Sequence, residues 1–198
     1  MESKNNKNCL MATRIANSIY RTHSKAISCN RHFYISNEIN NVASNPLLFQ
    51  APSYSLITGE LKSIGAYVHF TVKKSDLENI ENSNLEIHHI VEYIRELSSK
   101  NFSYDGCRIY VYLIGNSALV IVKRITDYLF TQVFQYESVE DLLYYIQATF
   151  QTLKLDTSLD QLILCGEIES DSQIVRLLSI YFSNIVTDST LPLSSLAM

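Results

Sequence analysis

The sequence predicts a mixed α/β fold, and three observations in its second half predict it. Three strand-like runs separated by short turns occupy residues 107–134. An apolar stripe at helical spacing follows over residues 138–153. A short, wholly apolar run at residues 161–165 then precedes a second helical pattern. From about residue 107 the predicted order of elements is therefore β-β-β-α-β-α, with a further strand beginning at Ile185-Val186.

The three strands form an antiparallel meander. In Cys107–Ile114 the odd-numbered positions are apolar, whereas the even-numbered positions begin with an arginine and two tyrosines, as alternation across a strand requires. Gly115-Asn116 is a two-residue hairpin turn with glycine first. Ser117–Ile125 is apolar on both faces through its middle, which is typical of an interior strand. A polar break then leads into the third strand, Tyr128–Phe134.

The clearest element is a helix that begins after Ser138. The acids Glu140 and Asp141 follow this residue, where a cap oxygen and negative charge favour a helix N-terminus. The stripe on one face consists of Val139, Leu142, Leu143, Ile146, Phe150 and Leu153. The next run, Gln161–Cys165, is typical of a buried parallel strand. Ser170–Gln173 predicts the cap of a second helix, whose apolar face carries Ile174, Leu177, Leu178 and Tyr181.

Three meandering strands followed by alternating helix and strand constitute the ribonuclease H-like plan, which the lobes of actin-type ATPases share. The right-handed crossover rule places the long helix on one face of the sheet. The same rule places the fourth strand, Gln161–Cys165, beside the first and parallel to it. This order predicts an architecture and no activity, because one fold hosts many functions.

Elements before the meander are less sharply marked. Ile64–Val72 is rich in β-forming residues and predicts a strand. The capping-box pattern Ser75-Asp-Leu-Glu78 predicts the start of a short helix. Leu85–His89 fits either a strand or the lead-in to a helix at Ile90–Ser99. Before these residues only a weak helical pattern at Leu10–Tyr20 is visible.

Charge is unevenly distributed along the chain. Residues 1–50 carry six basic and two acidic groups, a net charge of +4, whereas the rest carries ten basic and eighteen acidic groups, a net charge of −8. Because phosphate-backbone binding needs a basic face, we predict no nucleic-acid partner. We predict that residues 1–60 form a polar, basic segment, either poorly patterned or the remnant of a first lobe, and that residues 61–198 form the domain. The chain ends at Leu191–Met198 without a final helix or strand, which leaves a complete chain and a C-terminally truncated copy as open interpretations.

Cysteine usage and the N-terminal sequence predict a cytoplasmic location. Cys9, Cys29, Cys107 and Cys165 are far apart and form no Cys-x-x-Cys pair, which fits a reducing compartment. The first residues have scattered charges and lack the apolar core of a secretory signal. No apolar run is long enough to cross a bilayer, so we predict no membrane partner.

Phosphate chemistry is missing from the places where an actin-type ATPase needs it. Such enzymes use a carboxylate near the end of the first strand and glycine-rich turns whose N–H groups surround the phosphates. Here the first strand ends in Tyr110–Ile114, without a carboxylate, and Gly115-Asn116 is too tight to hold a triphosphate. Gly166 is followed by Glu167, which adds bulk and negative charge. We therefore predict that these glycines only form turns.

The sequence also lacks the residue patterns of a metal site. A two-metal nuclease needs clustered carboxylates, one of them in the first strand, whereas Asp105 precedes that strand and Asp127 follows the second. Cys29-x-x-His32 is half of a zinc pattern, and His69 lies in a predicted strand. We predict no catalytic residue, no metal ligand and no cofactor, and we assign no cofactor-binding residue.

The runs VFQYESVEDLLYYIQATFQTLKLD (133–156) and LILCGEIESDSQIVRLLSIYFSNI (162–185) resemble an uncharacterised Bacteroidota family, domain of unknown function 3822. The resemblance spans about residues 64–186. The features that carry it are Phe134, Glu140-Asp141, Tyr144-Tyr145, Leu155-Asp156, the turn Gly166–Ile168, and a histidine at 88 or 89. It implies an actin-like ATPase fold and no established activity.

Two hypotheses about function follow. The first is a non-catalytic actin-like module that binds an unknown protein partner or associates with itself, since the scaffold is intact while its phosphate motifs are missing. Tyr144 and Tyr145 point about 100° apart on their helix, so one flanks the packed face and the other reaches solvent or a partner. The alternative hypothesis is a nucleotide-binding, ATPase-like enzyme with an atypical phosphate loop.

Overall fold

A computed structural model describes residues 13–16, 19–21, 25–29, 33–36, 52–98, 104–166 and 168–188. The chain divides into two compact units: unit 1 comprises residues 1–96 and 193–198, and unit 2 comprises residues 97–192. The boundary predicted from the sequence lies at residue 60 instead. That residues 1–60 are the remnant of a lobe stays a prediction. No helix in the described ranges has the length and apolar composition needed to span a bilayer.

The described strands of unit 1 are β1 (Thr13–Ala16), β2 (Ile19–Arg21), β3 (Lys25–Ser28), β4 (Phe33–Ser36), β5 (Tyr54–Leu61), β6 (Ala66–Lys73) and β7 (Glu86–His89). Its helices are α1 (Lys74–Glu81) and α2 (Ile90–Ser98), and the boundary between the units falls near the end of α2. One sheet has the order β1-β2-β3-β7, in which β3 and β7 are parallel. The other sheet is antiparallel, with the order β4-β6-β5.

Two predictions for unit 1 are wrong. The weak helical pattern at Leu10–Tyr20 falls on β1 and β2, which pair antiparallel with Thr13 opposite Arg21. This cross-strand pairing overrides a local pattern that was weak from the start. The short helix predicted at Ser75–Glu78 is confirmed as α1, but its predicted cap is wrong, because α1 begins at Lys74 directly after β6 and has Lys73 as its N-cap residue. Ser75 therefore lies inside the first helical turn, where it cannot cap the helix.

Other predictions for unit 1 are confirmed. The strand expected at Ile64–Val72 is β6, shifted by two residues because Lys62–Ile64 forms a short 3₁₀ turn. The open choice at Leu85–His89 is resolved as strand β7, and the helix after it ends at Ser98. The sequence analysis missed β5, which forms a hairpin with β6.

Unit 2 contains β8 (Cys107–Ile114), β9 (Ser117–Arg124), β10 (Asp127–Gln135), α3 (Val139–Leu153), β11 (Gln161–Gly166), α4 (Gln173–Leu178) and β12 (Ile185–Asp188). The sheet order is β10-β9-β8-β11-β12. The meander strands are antiparallel, and β11 lies between β8 and β12, parallel to both. The predicted β-β-β-α-β-α order, the mixed sheet and the position of the fourth strand beside the first are confirmed.

The main apolar core of unit 2 involves one face of this sheet together with α3 and α4. It includes the odd positions of β8, even positions of β9 and β11, and the α3 side chains Leu142, Ile146 and Phe150. Burying each such side chain contributes about 1.5–3 kcal/mol. The opposite face of the sheet is buried as well, since Tyr112, Ile121 and Cys165 are at most 1% exposed.

Both helices of unit 2 begin where their cap residues predict, but α4 ends earlier than predicted. Ser138 and Asp141 form a capping box at the start of α3, as the cap signal predicted. Ser172 caps α4, within the predicted segment. The placement of Tyr181 on the apolar face of α4 is wrong, because the helix ends at Leu178 and Tyr181 is 47% exposed.

Candidate functional site

Ligands of open α/β sheets bind beyond the carboxyl ends of the parallel strands, so this edge of unit 2 is the first candidate site. The parallel strands β8, β11 and β12 end there at Ile114, Gly166 and Asp188. We call this region the carboxyl edge. An actin-type ATPase would carry its phosphate-binding turns at this edge.

The turn after β8 is closed by a tyrosine that the sequence analysis did not single out. The Tyr136 hydroxyl donates a hydrogen bond of 2.8 Å to the Gly115 carbonyl, and the Tyr136 backbone N–H donates one of 3.0 Å to the Asn116 carbonyl. The turn has only two residues, and both of its carbonyls are bound to Tyr136. This arrangement fixes a hairpin and leaves no loop that could surround a phosphate chain.

Gly166 is required by backbone packing. Its φ is +97°, and a Cβ atom added there would lie 2.2 Å from the carbonyl oxygen of Leu113 on the neighbouring strand β8. Both facts demand glycine without any ligand. Glu167, predicted to oppose phosphate, lies outside the described residues.

Asp188, at the end of β12, is an acid beside β11 at this edge. It lies opposite Cys165 in the strand register. Burial, and secondarily the charge of Asp188, raise the pKa of the Cys165 thiol to about 12. A thiol with this pKa stays protonated at neutral pH and is a poor nucleophile.

The two acids weighed for nuclease chemistry lie at the opposite edge. Asp105 precedes β8 and Asp127 begins β10, so both are near the amino end of β8 rather than its carboxyl end. Asp105 lines an open cavity of about 620 Å³, together with Tyr104, Gly106, Asp156, Leu159 and Asp160.

Two of the carboxylates that line this cavity, Asp156 and Asp160, have structural roles. Asp160 accepts hydrogen bonds from the backbone N–H groups of Cys107 and Asp156, at 2.6 and 2.7 Å. Asp156 in turn accepts one from the N–H of Ser158 at 2.7 Å. The Leu155-Asp156 pattern is thus explained by a loop that positions β11 beside β8.

A second cluster of polar groups lies in unit 1, where β7 meets α2. The backbone N–H of Val91 donates a hydrogen bond of 3.3 Å to Nδ1 of His89, and Glu92 accepts one of 2.8 Å from the backbone N–H of His89. This is a capping box in which a histidine replaces serine or threonine. The His89 ring contacts two aromatic rings, with its centroid 4.7 Å from that of Phe33 and 5.0 Å from that of Phe70.

His88 belongs to the same cluster. Its Nδ1 lies 2.9 Å from the other carboxylate oxygen of Glu92, and because a carboxylate only accepts, His88 donates this bond. Nε2 lies 3.5 Å from the exposed carboxylate of Glu86. Glu92 itself is only 8% exposed. The histidines at 88 and 89, which carry part of the family resemblance, are therefore explained by their contacts at the start of α2. In the sequence, the only sign of these contacts is the spacing His89-x-x-Glu92.

The remaining candidate residues do not come together as a metal site. His69 is fully buried, and its Nδ1 lies 3.0 Å from the Thr58 hydroxyl. Cys29 is buried, which raises the pKa of its thiol far above the usual range, and His32 lies outside the described residues. Across the described part of the chain, no three His, Cys, Asp or Glu side chains are grouped to hold a metal ion.

The two tyrosines of α3 differ as predicted. Tyr145 stacks on Phe134 of β10, with ring centroids 4.6 Å apart. Tyr144 is 66% exposed and contacts Tyr145 edge-on. Phe134 also stacks on Phe130, so four aromatic rings follow one another from β10 to the surface of α3.

Comparisons with known proteins agree with the mixed α/β fold. The chain matches the family described as "Protein of unknown function (DUF3822)" over residues 52–185. It is similar to a Bacteroides thetaiotaomicron protein with an actin-like ATPase fold and unknown function, with a TM-score of 0.67 and 15% identity over 85% of this chain and 69% of that one. At this identity the likeness shows the fold alone.

A second solved structure, Archaeoglobus fulgidus Pelota, is matched with a TM-score of 0.30 and 12% identity over 64% of this chain and 35% of that one, which is too slight to carry an argument. No curated protein is similar enough to match the chain.

Proposed function

The chain belongs to the DUF3822 family of proteins of unknown function, and from this membership and its actin-like fold we propose that it is a non-catalytic module that binds a protein partner or a second copy of itself. We retain the ribonuclease H-like interpretation of unit 2, which its strand order β10-β9-β8-β11-β12 supports. A Bacteroidota source stays a prediction.

The observation that carries the proposal is the closed carboxyl edge of unit 2. An actin-type phosphate site needs free backbone N–H groups in a wide turn and a carboxylate at the end of the first strand. Here the turn after β8 has only two residues, whose carbonyls both accept hydrogen bonds from Tyr136, and Gly166 packs against Leu113. The turn after β8 is therefore too short to surround a phosphate chain, and Tyr136 holds it in that form.

Exposed apolar side chains in unit 2 support a binding role. Tyr144 on α3 and Ile180 after α4 are 66% and 73% exposed. Tyrosine is enriched at protein interfaces because it combines a large apolar surface with a polar hydroxyl. The net charge of −8 over residues 51–198 supports a protein rather than a nucleic acid as the partner. The buried free thiols of Cys29, Cys107 and Cys165 support a cytoplasmic location.

Thermal unfolding with and without Mg-ATP tests the proposal. A ligand present at 100 times its Kd stabilises the folded state by about 2.7 kcal/mol, which raises Tm measurably. We expect no shift of Tm with Mg-ATP or Mg-ADP, and no release of phosphate. A saturable shift that depends on nucleotide concentration would establish the alternative, a nucleotide-binding enzyme with an atypical loop.

A further inference from the structure

Two consecutive histidines precede α2, and the hydrogen bonds of their rings require opposite protonation states. His88 and His89 are the last residues of β7, and α2 follows directly at Ile90. A histidine ring is neutral when one of its nitrogens carries a proton and positively charged when both do. The partner of each ring nitrogen therefore indicates the charge of that ring.

The ring of His88 faces carboxylates from two elements. Its Nδ1 lies 2.9 Å from an oxygen of Glu92 in α2, and its Nε2 lies 3.5 Å from an oxygen of Glu86 in β7. Tyr93 contacts the ring edge-on, with centroids 5.3 Å apart, and Ile27 of β3 lies opposite His88 in the strand register. Because a carboxylate only accepts, each nitrogen that faces one is favoured when it carries a proton. This geometry favours the positively charged ring.

Glu92 contributes more to this preference than Glu86 does. The Glu92 carboxylate is buried, and its other oxygen accepts a hydrogen bond from the backbone N–H of His89. A carboxylate removed from water needs a paired positive charge, which a charged His88 supplies. Glu86 is exposed, and Lys25 of β3 lies opposite it in the strand register. An ion pair with an exposed carboxylate is weak, so the charge of His88 depends chiefly on Glu92.

The ring of His89 requires the opposite state. The backbone N–H of Val91 donates a hydrogen bond of 3.3 Å to its Nδ1. Because this N–H only donates, Nδ1 carries no proton and the ring is neutral. The ring is fully buried against Phe33 and Phe70, and Ser28 of β3 lies opposite His89 in the strand register. Burial in such surroundings disfavours a charged ring.

We propose that His88 is charged and His89 neutral near neutral pH, and that this pair makes the start of α2 a pH-sensitive switch. The inference goes beyond the proposed binding role and does not depend on it. Acid would protonate Nδ1 of His89 and break its hydrogen bond with Val91. Alkali would remove the positive charge that His88 places beside Glu92. The start of α2 is therefore most stable between these two limits.

The two rings act in opposite pH ranges. A free histidine has a pKa of about 6.5. Because folding favours the charged form of His88, its contribution to stability is complete below this pH and is lost as the pH rises through the higher folded-state pKa. Because folding favours the neutral form of His89, its contribution is complete above this pH and is lost as the pH falls through the lower folded-state pKa.

NMR of the full chain with ¹⁵N-labelled histidines tests the two charge states. The ring nitrogen shifts distinguish a doubly protonated ring from a neutral one, and the variants His88→Asn and His89→Asn assign the signals. At a pH of about 6.5 a free histidine is half protonated. There we expect His88 to be mainly doubly protonated and His89 to be mainly neutral, with its proton on Nε2. A His88 ring that is at most half protonated, or a His89 ring that is at least half protonated, would overturn the proposal.

The pH dependence of Tm tests the switch itself. In His89→Asn the amide oxygen can accept the hydrogen bond from Val91 at every pH, so the variant should lose part of the decrease in Tm on the acid side. In His88→Asn the amide N–H can still donate to Glu92 but carries no charge, so the variant should lose part of the decrease on the alkaline side. The shape of each profile is compared, so a uniformly lower Tm does not obscure the result. A profile parallel to that of the wild type in either variant would contradict the switch.

Three matched substitutions identify the carboxylate that keeps His88 charged. Glu92→Gln should lower the pH at which His88 titrates in the NMR experiment, and Glu86→Gln should lower it by less, because Glu86 is exposed. Glu140→Gln removes an exposed carboxylate from unit 2 and should leave the titration unchanged. Equal shifts in all three variants would show that the net charge of the chain sets the protonation of His88, and the proposal would fall.

Discussion

The sheet core of unit 2 and the start of α2 in unit 1 are stabilised by different kinds of contact. In unit 2 a sheet with alternating apolar residues packs against α3 and α4, and its key contacts are apolar. In unit 1 the start of α2 depends on buried polar contacts among His88, His89 and Glu92. The difference teaches that periodic apolar burial is visible in a sequence, whereas individual polar contacts such as these are not.

The largest effect should come from the core of unit 2. Leu164→Ala removes a side chain with no exposed surface from the middle of β11, and the cavity left behind should lower the free energy of unfolding by about 3–5 kcal/mol. Urea unfolding followed by near-UV circular dichroism measures this change. Leu159→Ala, at a 68% exposed position, should change it by less than about 0.5 kcal/mol. Equal effects for the two variants would contradict the placement of the core.

A pair of glycines compares the two units directly. Gly166→Ala in unit 2 combines a φ of +97° with a clash against the Leu113 carbonyl, whereas Gly65→Ala in unit 1 has a φ of +60° and open space. The left-handed conformation alone costs about 1–2 kcal/mol, so Gly65→Ala should cost this amount and Gly166→Ala clearly more. Thermal unfolding of both variants measures the difference, and an equal loss of stability would show that the close approach of β8 and β11 is unimportant.

The polar cluster of unit 1 can be tested through Gly59. A Cβ atom there would lie within 2.4 Å of the carboxyl carbon of Glu92, so Gly59→Ala should displace the carboxylate from His88 and His89. Losing these buried hydrogen bonds should cost about 1–3 kcal/mol.

A double-mutant cycle isolates this contact. In a Glu92→Ala background Gly59→Ala should cost much less, since the carboxylate that it displaces is already gone. Additive losses of stability in the cycle would mean that Gly59 acts on α2 by some other contact.

The smallest effect concerns the cap of α3. Hydrogen bonds from the backbone N–H groups of Glu137 and Ser138 lower the pKa of Asp141 below its ordinary value of 3.8. Because the folded-state pKa is the lower one, this contribution to stability is complete above pH 3.8 and is lost as the pH falls through the folded-state pKa.

Tm measured against pH for Asp141→Asn checks this prediction. The variant should lose the part of the acid-induced decrease in Tm that Asp141 causes, whereas Glu140→Gln, with the neighbouring first-turn acid, should retain it. A pH profile of Asp141→Asn that matches the wild type would contradict the role of this carboxylate.

Prediction from the sequence succeeded where local signals and burial agree. The meander, the helix cap at Ser138 and the apolar run at β11 were all predicted, because cap residues, alternation and helical spacing are local signals in the sequence. The capping pattern at Ser75 predicted a helix that is present, but it named the wrong cap, since β6 runs directly into α1 and Lys73 takes the N-cap position.

The contacts that define the candidate sites were mostly invisible in the sequence. Tyr136 lies twenty residues from the turn that it closes, and no spacing rule connects it to Gly115. Glu92 lies only three residues from His89, so the sequence could suggest that contact. The close approach of its carboxylate to Gly59 depends on the fold of unit 1. Only the strand register places Gly166 against Leu113.

The sequence by itself determined the order of elements in unit 2, the apolar faces that pack together and the lack of phosphate-binding motifs, because these follow from residue types at fixed local spacing. Tertiary structure decided that Tyr136 closes the turn after β8, that Gly166 packs against Leu113 and that Gly59 lies against Glu92. These features depend on residues far apart in the chain, and only the packed backbone brings such residues within hydrogen-bonding distance.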